Sequence, residues 1–344
     1  MTGVQTCALP ILRKRLPPDR ADVDTGIGDD AAVLKVSPGA RIVVTTDALS
    51  DGIDFHLPPA GSASSTSSES TNRSTNRSGR QLGSATLREA GYKALAVNLS
   101  DLAAMAARPV AAFVSLVLPF TGALQAAQEL IEGLLPLAEE HAITIAGGDT
   151  NTWSDRLVIS ITAIGETQPI RCDGGSLQHG VWRRSGAQVG DVILATGEYG
   201  GSLLGRHLHP IPRVREATRL ATRYRIHAAV DVSDGLTLDL SHLAESSQCG
   251  VLLDLAAIPI APAAEEMARQ AGDSRSPLEH ALGDGEDFEL LMVVPATEVP
   301  QILADAELGV RITPIGHCIP QAGLWIDAGD NQLRPLPPRG YRHG

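Results

Sequence analysis

The chain has 344 residues, which is long enough for two domains of ordinary size. Its hydrophobic content of 43% and charged content of 20% exclude a disordered chain. Lys and Arg number 28 against 40 Asp and Glu, and the resulting net charge of −12 argues against nucleic acids and anionic membranes as partners. Only Lys14, Lys35 and Lys93 are lysines, so a phosphate-handling protein of this composition would need metal ions for positive charge.

The cysteines indicate a reduced protein. Cys7, Cys172, Cys249 and Cys318 lie far apart and form no CxxC motif, so neither a zinc site nor a disulfide framework is predicted. The longest apolar run, residues 110–120, is too short to span a bilayer. Residues 13–15 place the basic cluster after the first apolar run, which is the wrong order for a secretory signal. We therefore expect a cytoplasmic location.

Two segments differ from the rest of the chain. Residues 1–12 do not match the composition that follows, and we interpret residues 1–23 as an unreliable or non-native start. Residues 61–84 are rich in Ser, Thr, Asn and Arg, with too few apolar side chains to offset the entropy of ordering. They are predicted to form a disordered insertion, with a basic docking arm as the alternative.

Strand-like and helix-like patterns alternate along the remaining chain. In the first half, strands are expected at 31–36, 41–46, 110–118, 142–146 and 156–165, with helices at 85–107 and 122–141. In the second half, strands are expected at 191–195, 228–231, 251–255 and 288–294. Helices are expected at 236–247 and 263–271, with two more after a Gly-rich turn at 197–201.

This order predicts two α/β layered domains of similar size. The N-terminal domain is expected at 24–165 and the C-terminal domain at 182–344. The polar, Gly-rich residues 166–181 are expected to link them.

Aspartates recur where strands are predicted to end, at Asp30, Asp47, Asp149, Asp231 and Asp234. Strand ends converge at one edge of a layered α/β domain, so these carboxylates can meet. Magnesium prefers carboxylate, hydroxyl, phosphate and water oxygens. A single strand-end Asp before Gly is usually a turn or N-cap residue, but four such clusters favour a metal site.

Asp101 adds to this pattern, because it lies with Asn98 at i, i+3 in an otherwise apolar helix. The alternative is a polar surface stripe. The turn at 197–201 either holds phosphate or is a plain turn. No GxxxxGK[ST], GxSxG or HExxH motif occurs.

The motifs GIGDDAAVL, VVTTDALSDG, YKALAVNLSDLAAM, GGDT, RRSGAQVGD, AVDVSDGL and GDGEDFEL follow one another as in thiamine-monophosphate kinases. The chain resembles that family over about residues 24–295. The family belongs to a superfamily with aminoimidazole ribonucleotide synthetase, selenophosphate synthetase and a hydrogenase maturation protein. The resemblance implies ATP-dependent phosphorylation of thiamine monophosphate to thiamine diphosphate, by an N-terminal domain that pairs in a homodimer and a C-terminal α/β domain.

The resemblance also implies roles for individual residues. Several Mg²⁺ ions would be bound by Asp30, Thr45, Thr46, Asp47, Asp101, Asp149, Asp231 and Asp234. ATP would be contacted by Gly148, Asp149, Arg184 and Ser233. Glu286 would hold the thiamine moiety.

Two positions depart from the family pattern. Asp54 stands where the family often has a His that contacts the substrate. A carboxylate there would attract the thiazolium cation, while the alternative is that Asp54 caps the turn after Gly52. The family also usually has a helix before GIGDD, which the unusual start replaces.

Two other functions remain open. One is a different ATP-dependent enzyme of the superfamily, such as an amidine-forming ribonucleotide synthetase. The other is a catalytically dead regulator that binds metal or nucleotide.

Overall fold

The computed structural model describes residues 15–27, 30–58, 74–75, 81–82, 84–270, 273–329 and 332–341. The start at 1–14 and most of the insertion at 61–84 lie outside the described residues, so both interpretations stay predictions. Among the described residues, no helix is long and apolar enough to cross a membrane.

The chain forms two compact units. The first comprises residues 1–38, 42–98 and 109–165, and the second comprises 39–41, 99–108 and 166–344. One change of unit falls between residues 165 and 166, and the domain bounds expected from the sequence stay a prediction. Both units combine helices with sheets of mixed strand orientation, which is the predicted α/β class.

The first unit contains a sheet with the strand order β3-β8-β6-β7 and two helices. The strands and helices are β1 (Val23–Thr25), β2 (Val33–Leu34), β3 (Ile42–Ser50), β4 (Ser74–Thr75), β5 (Gln81–Leu82), α1 (Leu87–Ala104), β6 (Ala107–Pro119), α2 (Ala123–Glu140), β7 (Thr144–Trp153) and β8 (Val158–Arg171). Three of these elements cross the boundary, since residues 99–104 of α1, 107–108 of β6 and 166–171 of β8 belong to the second unit. Strands β6 and β7 run parallel. The helices α1 and α2 meet through their backbones, since a Cβ on Gly91 would lie 2.0 Å from Leu130 O and one on Gly133 would lie 1.9 Å from Arg88 O.

The second unit is built on a seven-stranded sheet in the order β11-β13-β10-β14-β12-β15-β16. Its elements are β9 (Leu177–Gly180), β10 (Val192–Thr196), α3 (Val214–Arg223), β11 (Ala228–Asp231), α4 (Leu236–Ser246), β12 (Gly250–Leu253), α5 (Pro262–Ala268), α6 (Pro277–Gly283), β13 (Leu290–Val294), α7 (Val299–Leu303), β14 (Ile312–Ile319), β15 (Gly323–Asp327) and β16 (Leu333–Pro335). Strands β12 and β15 are parallel. The core of this unit packs α4 against the sheet through Leu236, Leu240 and Leu243.

The expected linker at 166–181 contains regular structure. Strand β8 continues to Arg171, and β9 pairs with it in antiparallel register from Gln168↔Gly180 to Arg171↔Leu177. Backbone hydrogen bonds to β9 extend the strand through polar residues that carry no apolar pattern. The strand expected at 31–36 is shorter in the structure, where β2 covers Val33–Leu34 and pairs with β1.

Candidate active site

Asp231 ends strand β11 inside the second unit and is 3% exposed. Its Oδ2 accepts a hydrogen bond from Ser100 Oγ at 2.7 Å. Burial raises the pKa of Asp231 well above its usual range, and the charge of Asp101 raises it further, while the Ser100 hydrogen bond opposes this. The second unit therefore brings together two carboxylates whose repulsion a bound cation would relieve.

The turn after Asp231 is held from the following helix. Asp239, in the first turn of α4, accepts hydrogen bonds from the backbone N–H groups of Asp234 at 2.9 Å and Gly235 at 3.1 Å. Burial raises the pKa of Asp239 to about 7. From the C-terminal segment, Tyr341 N–H donates to Asp234 O at 2.8 Å. These bonds fix the turn that carries Ser233 and Asp234.

Glu286 lies beside the same turn. Its N–H donates to Ser233 O at 2.7 Å, and Phe288 N–H donates to Val232 O at 2.8 Å. Both Glu286 and Phe288 have left-handed backbone, with φ of 55° and 52°. The second unit thus places Ser233, Asp234 and Glu286 on adjacent backbone segments.

Five candidate residues of the first unit lie within strands rather than at their ends, so the predicted strand ends at these residues are wrong, whereas Asp30 and Asp54 lie outside the strands. Thr45, Thr46 and Asp47 belong to β3, which continues to Ser50, and Asp149 belongs to β7, which continues to Trp153. Polar side chains are tolerated along these strands because one face of each is partly exposed. The apolar pattern stops before each strand ends, and this is why the sequence predicts the strand ends too early.

The first unit by itself does not bring these residues together. Strands β3 and β7 lie at opposite ends of the path β3-β8-β6-β7. Three steps between neighbouring strands separate them by roughly 14 Å along the sheet. Thr46 Oγ1 instead lies 3.0 Å from Thr162 Oγ1 on β8.

Gly148 shows why glycine precedes Asp149. Its φ is 153°, and a Cβ would lie 1.9 Å from Val114 O on the neighbouring strand β6. Only glycine fits this close approach between the strands. Asp149 Oδ1 accepts a hydrogen bond from Thr150 N–H at 2.8 Å.

The donor set fits magnesium in composition. Among the described residues, no three His, Cys, Asp or Glu side chains are placed to hold a metal by themselves. Magnesium typically takes one or two carboxylates from a protein and completes its shell with phosphate oxygens and water. The buried Asp231 beside Asp101 is the pair that suits this mode of binding.

The chain is similar to known proteins along most of its length. Residues 28–167 match the N-terminal domain of AIR synthase related protein, and residues 188–326 match the C-terminal domain. The chain is 41% identical to a thiamine-monophosphate kinase from Rhodopirellula baltica, over 94% of this chain and 92% of the relative. It is 31% identical to that of Escherichia coli K12, over 96% and 94%. The chain belongs to the thiamine-monophosphate kinase family.

Solved structures of the thiamine-monophosphate kinase family share the fold. The enzyme from Stenotrophomonas maltophilia K279a superposes with a TM-score of 0.71 at 31% identity, covering 92% of this chain and 95% of that one. AaThiL complexed with AMPPCP and TMP has a TM-score of 0.69 at 24% identity, covering 92% of each chain. At that identity the second comparison supports the fold alone.

The residues implied by the thiamine-monophosphate kinase resemblance divide between the units. The first unit carries Asp30, Thr45, Thr46, Asp47, Asp54, Gly148 and Asp149, and the second carries Asp101, Arg184, Asp231, Ser233, Asp234 and Glu286. Gly28 and Asp29 of the GIGDD motif lie outside the described residues. The positive charge of Arg184 lowers the pKa of both Asp231 and Asp239, against the larger effect of burial, which raises it.

Sequence reasoning missed the residues that hold the site in place. Asp239 is a carboxylate in an apolar helix five residues after Asp234, a signal of the kind that identified Asp101. The turn at 197–201 is now explained as a structural turn, because Gly200 N–H donates to Asp287 Oδ1 and Gly201 N–H donates to Asp284 Oδ2, both at 2.9 Å. These two N–H groups bind the chain's own carboxylates rather than a phosphate.

Proposed function

We propose that this chain transfers the γ-phosphoryl group of ATP to thiamine monophosphate and releases thiamine diphosphate and ADP. The observation that carries this proposal is the 41% identity to a thiamine-monophosphate kinase over 94% of the chain. The buried Asp231, the Ser233–Asp234 turn and the adjacent Glu286 support it from the structure.

The acceptor needs no strong base. The second pKa of a phosphate monoester is near ~6, so its attacking oxygen is already anionic at neutral pH. The barrier lies in bringing two anions together, which costs roughly 4 kcal/mol for unit charges about 4 Å apart at an effective dielectric of about 20. Bound Mg²⁺ would supply the compensating positive charge and stabilise the transferring phosphoryl group.

The chain's own residues would bind and orient the two substrates for in-line transfer. We assign Mg²⁺ binding to Asp30, Thr45, Thr46, Asp47, Asp101, Asp149, Asp231 and Asp234. ATP contacts are assigned to Gly148, Asp149, Arg184 and Ser233, and thiamine contacts to Asp54 and Glu286. A carboxylate at the thiamine end attracts the permanent charge of the thiazolium ring at every pH where it stays ionised.

We also propose that the first unit pairs in a homodimer through the exposed face of β3. Ile42 and Val44 are 56% and 58% exposed, and their i, i+2 spacing places them on one face of the strand. Clustered exposed apolar side chains mark interaction surfaces. Val44→Glu should shift the molar mass from light scattering towards the monomer, whereas Val189→Glu, at another exposed valine, should leave it unchanged.

The function is tested by ADP release with Mg²⁺ and a panel of acceptors. Thiamine monophosphate should stimulate release, whereas thiamine and formylglycinamidine ribonucleotide should not. Release that responds only to formylglycinamidine ribonucleotide would establish the synthetase alternative. Nucleotide binding without release for any acceptor would establish the regulator. The cytoplasmic location stays a prediction.

A further inference from the structure

The segment from Asp284 to Glu289 has one partly exposed carboxylate among three buried ones. Asp284, Asp287 and Glu289 are 4–5% exposed, whereas Glu286 is half-buried. The buried carboxylates are not part of the proposed phosphoryl transfer. Burying a charge is unfavourable unless it is paired and hydrogen-bonded, so each of these buried carboxylates is expected to have hydrogen-bond partners.

Each buried carboxylate is anchored by a residue distant in sequence. Asp287 Oδ1 accepts from Gly200 N–H and from the guanidinium of Arg206. Glu289 Oε2 accepts from Arg213 Nε at 2.7 Å and from Thr196 Oγ1 at 2.6 Å. Arg206 is fixed in turn, since its Nη1 donates to Glu198 O at 2.8 Å.

Residues 200–202 contact residues 284–287 at three points. Gly200 N–H binds Asp287, Gly201 N–H binds Asp284, and Ser202 Oγ donates to Gly285 O at 2.6 Å. Both glycines are required by close packing, because a Cβ on Gly200 would lie 2.6 Å from Ala281 N and one on Gly201 would lie 2.2 Å from Ala263 C. We call residues 200–202 together with Arg206 the clamp.

The segment that the clamp contacts has a left-handed backbone, which residues other than glycine rarely adopt. Gly285, Glu286 and Phe288 all have positive φ, at 73°, 55° and 52°. For residues other than glycine this conformation is unfavourable and persists only when the surrounding structure enforces it. It places the Glu286 backbone beside Ser233, to whose carbonyl oxygen the Glu286 N–H donates at 2.7 Å.

We propose that Asp287 is a positioning residue which, through the clamp, fixes the left-handed backbone that presents Glu286 to the thiamine end of the substrate. This inference rests on the proposed function. It predicts that breaking the Asp287 contacts impairs recognition of thiamine monophosphate selectively and leaves ATP recognition intact.

The first test is the kinetics of Asp287→Ala, with Arg206→Gln as the milder variant. Each should raise KM for thiamine monophosphate about tenfold or more while KM for ATP stays within about twofold. Arg206→Lys should recover part of the loss, because it restores a cation beside Asp287. The matched control is Asp305→Ala, which breaks another carboxylate–arginine pair of the second unit, with Arg219, at 2.7 and 3.0 Å. It should lower Tm without changing either KM.

A double-mutant cycle tests whether Asp287 acts through Glu286. In a Glu286→Gln background, Asp287→Ala should add little to KM for thiamine monophosphate, because the group it positions is already gone. Additive effects in the cycle, or an equal rise in both KM values, would overturn the proposal.

Hydrogen exchange separates this inference from the proposed function, because it needs no substrate. Asp287→Ala and Arg206→Gln should speed exchange of the Glu286 and Phe288 amides, which donate to Ser233 and Val232. Unchanged exchange in folded variants would overturn the positioning role. If wild-type protein released no ADP with thiamine monophosphate, the proposed function would fail whatever the exchange result.

Discussion

Replacing Asp231 by Asn should change metal-free stability and turnover in opposite directions. In the metal-free chain Asp231 is a buried carboxylate beside Asp101, and both burial and repulsion penalise its charge. Asn removes the charge but keeps an oxygen that can accept from Ser100 Oγ. The free energy of unfolding of the metal-free variant should therefore rise by on the order of 1–3 kcal/mol, which corresponds to a rise in Tm of about 2–10 °C.

Turnover should fall by about a thousandfold in the same variant. If Asp231 helps to hold the cation that offsets roughly 4 kcal/mol of phosphate repulsion, its loss costs about three powers of ten in rate. Asp149→Asn should likewise lower turnover by several orders of magnitude with the fold intact.

The assay pairs calorimetry in a chelator with ADP release at saturating Mg²⁺. Asp254→Asn is the matched control, since Asp254 also follows a strand of the second unit, is exposed and accepts from Ala256 N–H at 3.0 Å. It should change neither quantity. Near-normal turnover together with a lowered metal-free Tm for Asp231→Asn would refute the reasoning.

Two further predictions concern stability. Gly200→Ala should lower the free energy of unfolding by about 2 kcal/mol or more, and Tm with it, because the new Cβ would meet Ala281 N at 2.6 Å. Gly309→Ala, at φ 69° with open space around it, should lower the free energy of unfolding by less. An equal loss in the two variants would contradict the steric argument. Hydrogen bonds from Arg339 and Ser276 lower the pKa of Glu279 to about 2. The stability they contribute is present above about pH 4.5 and is lost as the pH falls towards 2, so the difference between wild type and Glu279→Gln in urea unfolding should be larger at pH 7 than at pH 3.

The sequence predicted the helices and strands whose apolar spacing and boundary residues lie close together along the chain. The expected helices at 85–107 and 122–141 correspond to α1 (87–104) and α2 (123–140), because their apolar spacing and Gly or Pro boundaries are written in consecutive residues. The expected strand at 228–231 matches β11 at both ends. The family resemblance is confirmed, and it rests on motifs that read continuously along the chain.

The contacts that shape the site could not be predicted in this way. Ser100 and Asp231 are 131 residues apart, and Gly200 and Asp287 are 87 apart. No periodicity links such pairs, because tertiary packing alone decides which turn meets which carboxylate. The strands after residue 294 were likewise not predicted, since β15 and β16 depend on neighbouring strands rather than on a strong apolar pattern.

Asp54 offers a test in which substrate binding and turn structure can be separated. Its Oδ2 accepts from Ser50 N–H at 2.7 Å, and its backbone carbonyl accepts from the buried Lys93 Nζ at 2.7 Å. The carboxylate thus already stabilises the turn, as the capping interpretation expects, while its proposed contact with thiamine stays a prediction.

Asn at position 54 can still accept from Ser50 N–H through its side-chain oxygen, so Asp54→Asn removes the charge and preserves the turn. If the charge attracts the thiazolium ring, KM for thiamine monophosphate should rise several-fold with little change in KM for ATP. Asp54→Ala removes the acceptor as well and should also lower Tm. Equal changes in both KM values for Asp54→Asn, or no change in either, would mean that Asp54 serves the turn alone, and would leave Glu286 as the only carboxylate proposed for the thiamine end.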